Sequence, residues 1–343
     1  MKRILSAAVG FIAATMLSGS VSAQEPEVTL TLHHLLGPKS PAQVHMLEPW
    51  AKSVEEASNG RIKIEIYPAM SLGGKPPELY RQARDGVVDI VWTVLGYTPG
   101  VFPRTEVFEL PTVHRGSAKQ TTIAIANSWD MIKDDFKDIK PILIHVHGGQ
   151  VFHMVDKAVH TPADLEGLKI RTPSRTGGWI IEALGAEPVG MPVPDLPQAL
   201  SKGVVAGALV PFEIVAPLKL QELTHHTTQG PNSLRFGTST FMIGMNLDRY
   251  NSLPDDLKKV IDDHSMGNIA ATYGAVWDNS EAGGKKLIEE NSDLITLTDD
   301  EYKAFTDKMQ PVVDKWVAEA DSNGMDGKGM VEAARAAVLA VKD

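Results

Sequence analysis

Residues 167–179 read GLKIRTPSRTGGW. Arg171 closes a short apolar run and is followed at once by Thr172-Pro173. A guanidinium offers five donors in a planar fork and stays charged at every working pH, which suits the two oxygens of a carboxylate. Two parallel charge-assisted bonds orient such a ligand as well as hold it, whereas a lysine supplies charge alone. Pro173 biases Thr172 toward an extended backbone and stops the strand there. Gly177-Gly178 lets chain and ligand approach closely. On spacing alone a surface or interdomain ion pair stays open as the commoner use of such an arginine.

Other residues were tested for chemistry. No GxSxG elbow and no HExxH occur after residue 23. Gly73-Gly74-Lys75-Pro76 has the wrong spacing for a P-loop, and no GxGxxG follows a strand. An enzyme can still assemble acid and base from distant positions. His145 and His147 sit two apart on an expected strand and share a face, but no third metal ligand is recognisable. They read as a half-exposed strand end entering Gly148-Gly149. His33-His34 and His225-His226 are adjacent and point opposite ways; His33 is placed toward a cleft. Asp321, Asn323 and Glu332 fit positions 1, 3 and 12 of a calcium loop, but Met325 and Asp326 spoil positions 5 and 6, so a turn is expected. No cysteine is present, which removes disulfides and thiolate chemistry. Trp92, Tyr97, Phe102, Phe152, Met154, Phe212, Phe236, Phe241, Met242 and Met245 fall near strand ends. Each alone is more often core; together they suggest an apolar-walled cleft with few polar groups.

The elements that must hold these residues alternate along the chain. Val28–His33 and Ile62–Tyr67 alternate apolar and polar, as half-buried strands do. Between them Val44, Leu47, Trp50, Ala51 and Val54 recur at helical spacing until Gly60. Pro76–Asp85 reads as a helix and Val87–Trp92 as a buried strand, the signature of a parallel sheet covered by helices. A long amphipathic helix is expected over Ser117–Asp135. Strands are expected over Lys140–Val146, Leu168–Arg171 and Val204–Val210. Helices are expected from Thr161-Pro162, over Trp179–Leu184 and over Val193–Gly203. Asp255–Asn291 is helical for much of its length but holds Gly267, Gly274 and Gly283-Gly284, so it should bend and bridge two lobes. Thr298-Asp299-Asp300-Glu301 is a capping box.

The pattern implies an α/β fold of two lobes, which a length of 343 residues allows. One lobe is expected from residues 24–148 with 236–279, the other from 149–235 with 280–343. Ligands of such sheets bind beyond the carboxyl ends of the strands, where Arg171 falls. Residues 1–23 read as a secretory signal peptide: a basic Met1-Lys2-Arg3, an apolar stretch, then small residues with cleavage near Ala23-Gln24. The apolar stretch falls short of the ~20 residues of a membrane span, and nothing later is apolar enough to be one, so an integral membrane protein is not expected. Removing Lys2 and Arg3 takes the formal charge from −10 to about −12, which argues against nucleic acid as a partner.

Beyond the leader the whole chain resembles the DctP-type solute-binding proteins of TRAP (tripartite ATP-independent periplasmic) transporters. The resemblance rests on PWAKSVEEASNGRIKIEIYPAMSLGG, ELYRQARDGVVDIVW, FELP at 108–111 and PVPDLPQALSKGVVAGALVP. TPADLEGLKIRTP is the most specific stretch, and its arginine, here Arg171, is the family's carboxylate ligand. The resemblance implies a two-lobe periplasmic binding protein fold (class II-like) with a long helix bridging both lobes. It implies a periplasmic, monomeric binding protein with no cofactor and no catalysis, delivering a small organic acid to a two-part membrane permease driven by ion gradients.

This chain departs from many relatives in two places. Gln150 stands where they carry a second arginine, and Ala206-Gly207 with Val210 stand where they carry Asp-Gly and an asparagine. A hydroxyl-rich sugar acid or a dicarboxylate would leave polar groups unpaired, at about 1–3 kcal/mol each. The expected ligand is therefore an apolar or aromatic monocarboxylate. Trp92, Phe212 and Met242 are expected as walls, with Tyr97 and His33 in the same site. Trp179 lies near the arginine but also suits helix packing. Three alternatives stay open. One is a zwitterionic osmolyte whose cation pairs with Glu213, a residue that reads more readily as a helix start. Another is a dicarboxylate or sugar acid. The third is a secreted α/β enzyme, which would need a nucleophile or a tuned carboxyl pair.

Overall fold

The computed structural model describes residues 25–342. The signal peptide expected over residues 1–23, with its cleavage point, lies outside the described residues. Two β-sheets frame the molecule. The first holds β1 (Val28–His34), β2 (Ile62–Tyr67), β3 (Ile90–Val94), β4 (Ile139–Val146) and β10 (Thr240–Asn246), in the order β2-β1-β3-β10-β4. The second holds β5 (Val151–Met154), β6 (Lys169–Thr172), β7 (Glu187–Gly190), β8 (Gly207–Val210), β9 (His226–Gln229) and β11 (Asp293–Thr296), in the order β11-β9-β5-β8-β6-β7.

Both sheets are mixed, which corrects the expectation of purely parallel ones. β10 runs antiparallel between β3 and β4, and β5 runs antiparallel between β8 and β9. Each of these strands directly follows a crossing between the sheets, so it enters its new sheet against the local direction. β5 was not anticipated at all: VFHM is four residues, too short for a period to show. The buried strand expected over Val87–Trp92 begins later. Gly86 turns at a φ of +73°, and Val87 is left 71% exposed.

Apolar periodicity explains the layers. In β1, Leu30 and Leu32 are fully buried and meet Trp50, Ala51 and Val54 of the helix Glu48–Ala57 in a common core. The helix expected over Ser117–Asp135 breaks at Ser128 into Ala118–Asn127 and Trp129–Ile132. Thr161 opens only a short 3-10 turn, Pro162–Leu165. The capping box forms as read: Thr298 Oγ1 accepts from Glu301 N–H, and Glu301 Oε2 accepts from Thr298 N–H at 2.8 Å. It starts the helix Asp299–Ser322, which buries Phe305, Met309 and Trp316. The Asp321 segment is a turn, in which Asp321 Oδ1 accepts from Gly327 N–H at 2.8 Å.

Three connections join the two sheets. Residues 147–150 lead from β4 to β5, and residues 230–239 return from β9 to β10. The two crossings pair with each other through Gln150 N–H to Gly237 O (2.8 Å) and Phe236 N–H to Gln150 O (3.0 Å). The third connection is the helix Gly267–Asn291. It packs on Ala118–Asn127 beside the first sheet and on Phe212–Leu218 beside the second. The long helical stretch bends before this helix begins, at Met266 with its φ of 49°; of its internal glycines Gly274 packs against Lys119 and Thr122, while Gly283 faces open space. At Gly284 a Cβ would stand 1.8 Å from Phe212 O, so only glycine admits that approach.

Candidate functional site

The strand ends of both sheets and the two crossings surround one cavity, with about 420 Å³ of atom-free space including its mouth. Arg171 reaches it from the carboxyl end of β6 and is only 2% exposed. Its Nε and Nη2 donate to Met191 O at 3.0 and 2.8 Å, and Nη1 donates to Leu209 O at 3.3 Å. These carbonyls hold the fork in place without neutralising it. Among the described residues no acidic side chain forms an ion pair with Arg171. Burial pulls the guanidinium below its usual pKa, with Tyr97 opposing. Asp195 acts on the guanidinium only from a distance, and a buried charge without a contacting counter-charge carries a desolvation penalty of several kcal/mol, which an incoming anion offsets.

Tyr97, in the turn after β3, belongs to the first lobe but bonds to the second. Its hydroxyl accepts from Val193 N–H at 2.8 Å and from Arg171 Nη2 at 3.5 Å. Burial raises its pKa, so the phenol keeps its proton and has a donor left over beside Arg171. The cavity thus has a cationic, donor-rich pole.

The walls are largely apolar and include aromatic rings. Trp92 and Phe241 line the cavity and stack with ring centroids 5.3 Å apart and planes 4° from parallel. Trp277 and His145 extend the array behind them. His145 Nε2 accepts from Trp92 Nε1–H at 2.9 Å, and burial takes the imidazole down to about 3, so it is a neutral packing ring. His147 lines the cavity, with Nδ1 accepting from Gly149 N–H at 3.0 Å, which leaves its proton on Nε2. Both histidines are buried, not half exposed, because the crossing that follows them is covered by the bridging helix. Among the described residues no group of His, Asp and Glu is arranged to hold a metal ion.

Of the site residues expected from sequence, Arg171, Gln150, Trp92, Tyr97 and Glu213 come together on the cavity. Phe212, Met242 and His33 do not line it. Met242 and Phe241 are neighbours on β10 and face opposite sides of the sheet, so Phe241 is the wall and Met242 is core. Phe212 turns away from the cavity to meet the His153 ring edge-on at 5.7 Å and the Arg235 guanidinium at 5.4 Å. His33 faces away as well: Nδ1 bonds Gln82 Oε1 at 2.8 Å, and Nε2 accepts from Leu72 N–H at 3.3 Å. Gly177 serves helix packing and not ligand approach, since its Cβ would meet Thr172 Oγ1 at 2.3 Å. Trp179 lies outside the cavity, with Arg175 and Lys315 over its ring at 4.9 and 4.4 Å. Ser239 and His147 were missed as cavity residues. Their signal was position alone, because both sit in the crossings.

The lobes touch outside the cavity. Arg175 donates to both oxygens of Glu106 across the divide, at 2.8 and 2.6 Å, and Thr176 Oγ1 donates to Glu109 Oε2. Gly96 of the first lobe lies against Ser174 of the second, where a Cβ would come within 2.4 Å.

Fold and site are those of a two-lobed solute-binding protein. The chain belongs to the family described as bacterial extracellular solute-binding protein, family 7 (DctP), whose model matches residues 32–320. A TRAP solute binding protein from a marine metagenome, described as specific for aromatic acid ligands and solved with 3-hydroxybenzoate, is 39% identical. The match covers 93% of this chain and 100% of that one, at a TM-score of 0.90. A TRAP solute binding protein from Rhodoferax ferrireducens T118, solved with copurified benzoate, is 40% identical over 91% of this chain and 97% of that one, at 0.88. The C4-dicarboxylate-binding periplasmic protein DctP of Rhodobacter capsulatus is 24% identical, covering 98% of this chain and 99% of its own. These relatives are solute-binding proteins and not enzymes. Among the described residues no helix is long and apolar enough to cross a membrane.

Proposed function

We propose that this protein captures an aromatic monocarboxylate in the periplasm and delivers it to the membrane permease of a TRAP transporter. The observation that carries the reading is Arg171: a buried guanidinium with no ion-paired acidic side chain among the described residues, beside a phenol donor, in an apolar cavity with aromatic rings in its wall. The ligand carboxylate accepts from the guanidinium and from Tyr97, and its ring lies against Trp92 and Phe241. The relatives solved with benzoate and 3-hydroxybenzoate support the same class of ligand. The reading keeps residues 24–148 with 236–279 as one lobe and 149–235 with 280–343 as the other, closing about the crossings. It takes a single exported chain, cleaved near Ala23-Gln24, as the binding unit.

The test is a thermal melt of residues 24–343 against benzoates, aliphatic monocarboxylates, dicarboxylates, sugar acids and osmolytes. Ligand at about 100 times its dissociation constant adds about 2.7 kcal/mol of stability, a shift of a few degrees. Benzoates are expected to give that shift and to be recovered unchanged. Arg171→Ala is expected to lose it, and Arg171→Lys to retain only a fraction, because an ammonium has no fork. A response confined to sugar acids, dicarboxylates or osmolytes, or an Arg171→Ala variant that binds normally, refutes the reading.

A further inference from the structure

Two further polar side chains line the cavity, each with an oxygen that has no hydrogen-bond partner among the described residues. Gln150 is 1% exposed, and its Nε2 donates to Ser239 Oγ at 3.0 Å while its Oε1 has no partner. Glu213 is 6% exposed, and its Oε2 likewise has no partner. Both residues line the cavity. The fold brings them to the same edge. Val151 of β5 pairs with Val210 of β8 in antiparallel register, so Gln150 lies one residue before that pair and Glu213 three residues after it, at one end of both strands.

The same sheet keeps them apart from the carboxylate pole. Arg171 pairs with Ala208 of β8, and β5 lies on the other side of β8. The Gln150 backbone is therefore two strands from the Arg171 backbone, roughly 10 Å at the usual strand spacing, and the guanidinium reaches from β6 toward β8, where it meets Leu209 O.

The chemistry of the unmatched atoms selects the substituent. Among the described residues no cation forms an ion pair with Glu213. Arg235 is taken by Glu281, with Nη2 to Oε2 at 3.4 Å, and Glu281 Oε1 accepts the Glu213 backbone N–H at 3.1 Å. Burial, reinforced by the charge of Glu281, holds the Glu213 carboxyl well above its usual range. In its protonated form that carboxyl has an O–H to donate. Gln150 Oε1 is an acceptor. A hydroxyl donates one hydrogen bond and accepts another, so it matches both groups at once. A bare ring edge leaves both buried and unpaired, which is the costly case.

We propose that Gln150 and Glu213 receive a ring hydroxyl, so that the ligands of this protein are hydroxylated aromatic monocarboxylates. This rests on the reading of Arg171 as the carboxylate receptor. Titration calorimetry of residues 24–343 with benzoate, 3-hydroxybenzoate, 4-hydroxybenzoate and 3-(aminomethyl)benzoate tests it. At least one hydroxybenzoate is expected to bind on the order of tenfold to a hundredfold more tightly than benzoate. In Gln150→Leu and in Glu213→Leu that ratio is expected to fall toward one. The inference is overturned if the unsubstituted protein binds benzoate as tightly as both hydroxybenzoates, or prefers the aminomethyl compound. It is also overturned if both variants fold and keep the original ratio. Because the first comparison uses the unsubstituted protein, a variant that fails to fold does not rescue it. Failure of every benzoate to bind overturns the Arg171 reading as well, so the two failures are told apart.

Discussion

Arg171 is held ready by two backbone carbonyls, those of Met191 and Leu209. Carbonyls orient a guanidinium without cancelling its charge, so the unliganded site retains the electrostatic demand that a carboxylate meets. Gln150 sets what the opposite pole can tolerate. Gln150→Arg adds a second buried cation, and among the cavity-lining residues only Glu213 is a carboxyl able to answer it. The longer side chain also occupies space in an already narrow cavity. Benzoate affinity is expected to fall by at least about tenfold in that variant, since the added side chain takes space that the ring needs. Titration calorimetry reads this directly, and unchanged affinity would place Gln150 outside the site.

Among the elements, the turn after β3 and the helix start after β6 decide how closely the lobes meet. Gly96 in the first and Ser174 in the second leave no room for a Cβ. Arg175, one residue on, grips Glu106 with both nitrogens of its fork. Gly96→Ala therefore opposes closure while leaving each lobe its own core. Its expected signature is a loss of ligand affinity of about tenfold or more, because the closed form is what binds and its population is reduced. The ligand-free melting temperature should move little. If instead the melting temperature falls and affinity holds, Gly96 is a packing residue of its own lobe. The bridging helix shows the same economy, with Gly284 resting on the backbone of Phe212.

For the whole molecule the buried titratable groups set the response to pH. Burial raises Glu106 and Asp135 to about 6, Glu281 to about 7, and Glu213 well above the carboxyl range. The folded protein holds those protons where the unfolded chain has released them, so their stabilisation is full at low pH and fades as pH rises from about 4.5 toward 7. Buried histidines act in the opposite sense. Burial lowers His34 and His114 to about 4, His145 and His153 to about 3, and His147 in the same direction. Unfolded imidazoles take up protons below about 6.5, so this stabilisation is lost as pH falls from there. The two sets largely offset between about pH 4.5 and 6.5. Below that window the buried-carboxyl gain is complete, the histidine loss continues, and carboxylates held below their usual range, such as Asp164 at about 2, add to the loss as they take up protons. Urea midpoints are expected to change little from pH 7 to 5 and to drop steeply below about 4.5. An even decline from pH 7 downward would mean that the buried carboxyls are ionised in the folded protein.

The local order of this protein is legible in its residues. Alternation marks β1 and β2, helical spacing marks Glu48–Ala57, and the Thr298–Glu301 box opens its helix, because each depends on neighbours within a few positions. The placement of Arg171 at a strand end is local too, since Thr172-Pro173 follows it. What lies beside Arg171 is not local. Whether an acidic side chain neutralises it depends on residues tens of positions away, and only the tertiary structure shows the guanidinium left to the cavity. The same limit explains Phe241 against Met242 and Glu213 against Phe212. Neighbours on a strand or a tight turn face opposite ways, and a shift of one residue exchanges them, so the choice belongs to the surface each segment packs against. The short β5, and the crossing that brings Gln150 into the site, were likewise settled by pairing with β8 and β9, partners far along the chain that no local pattern records.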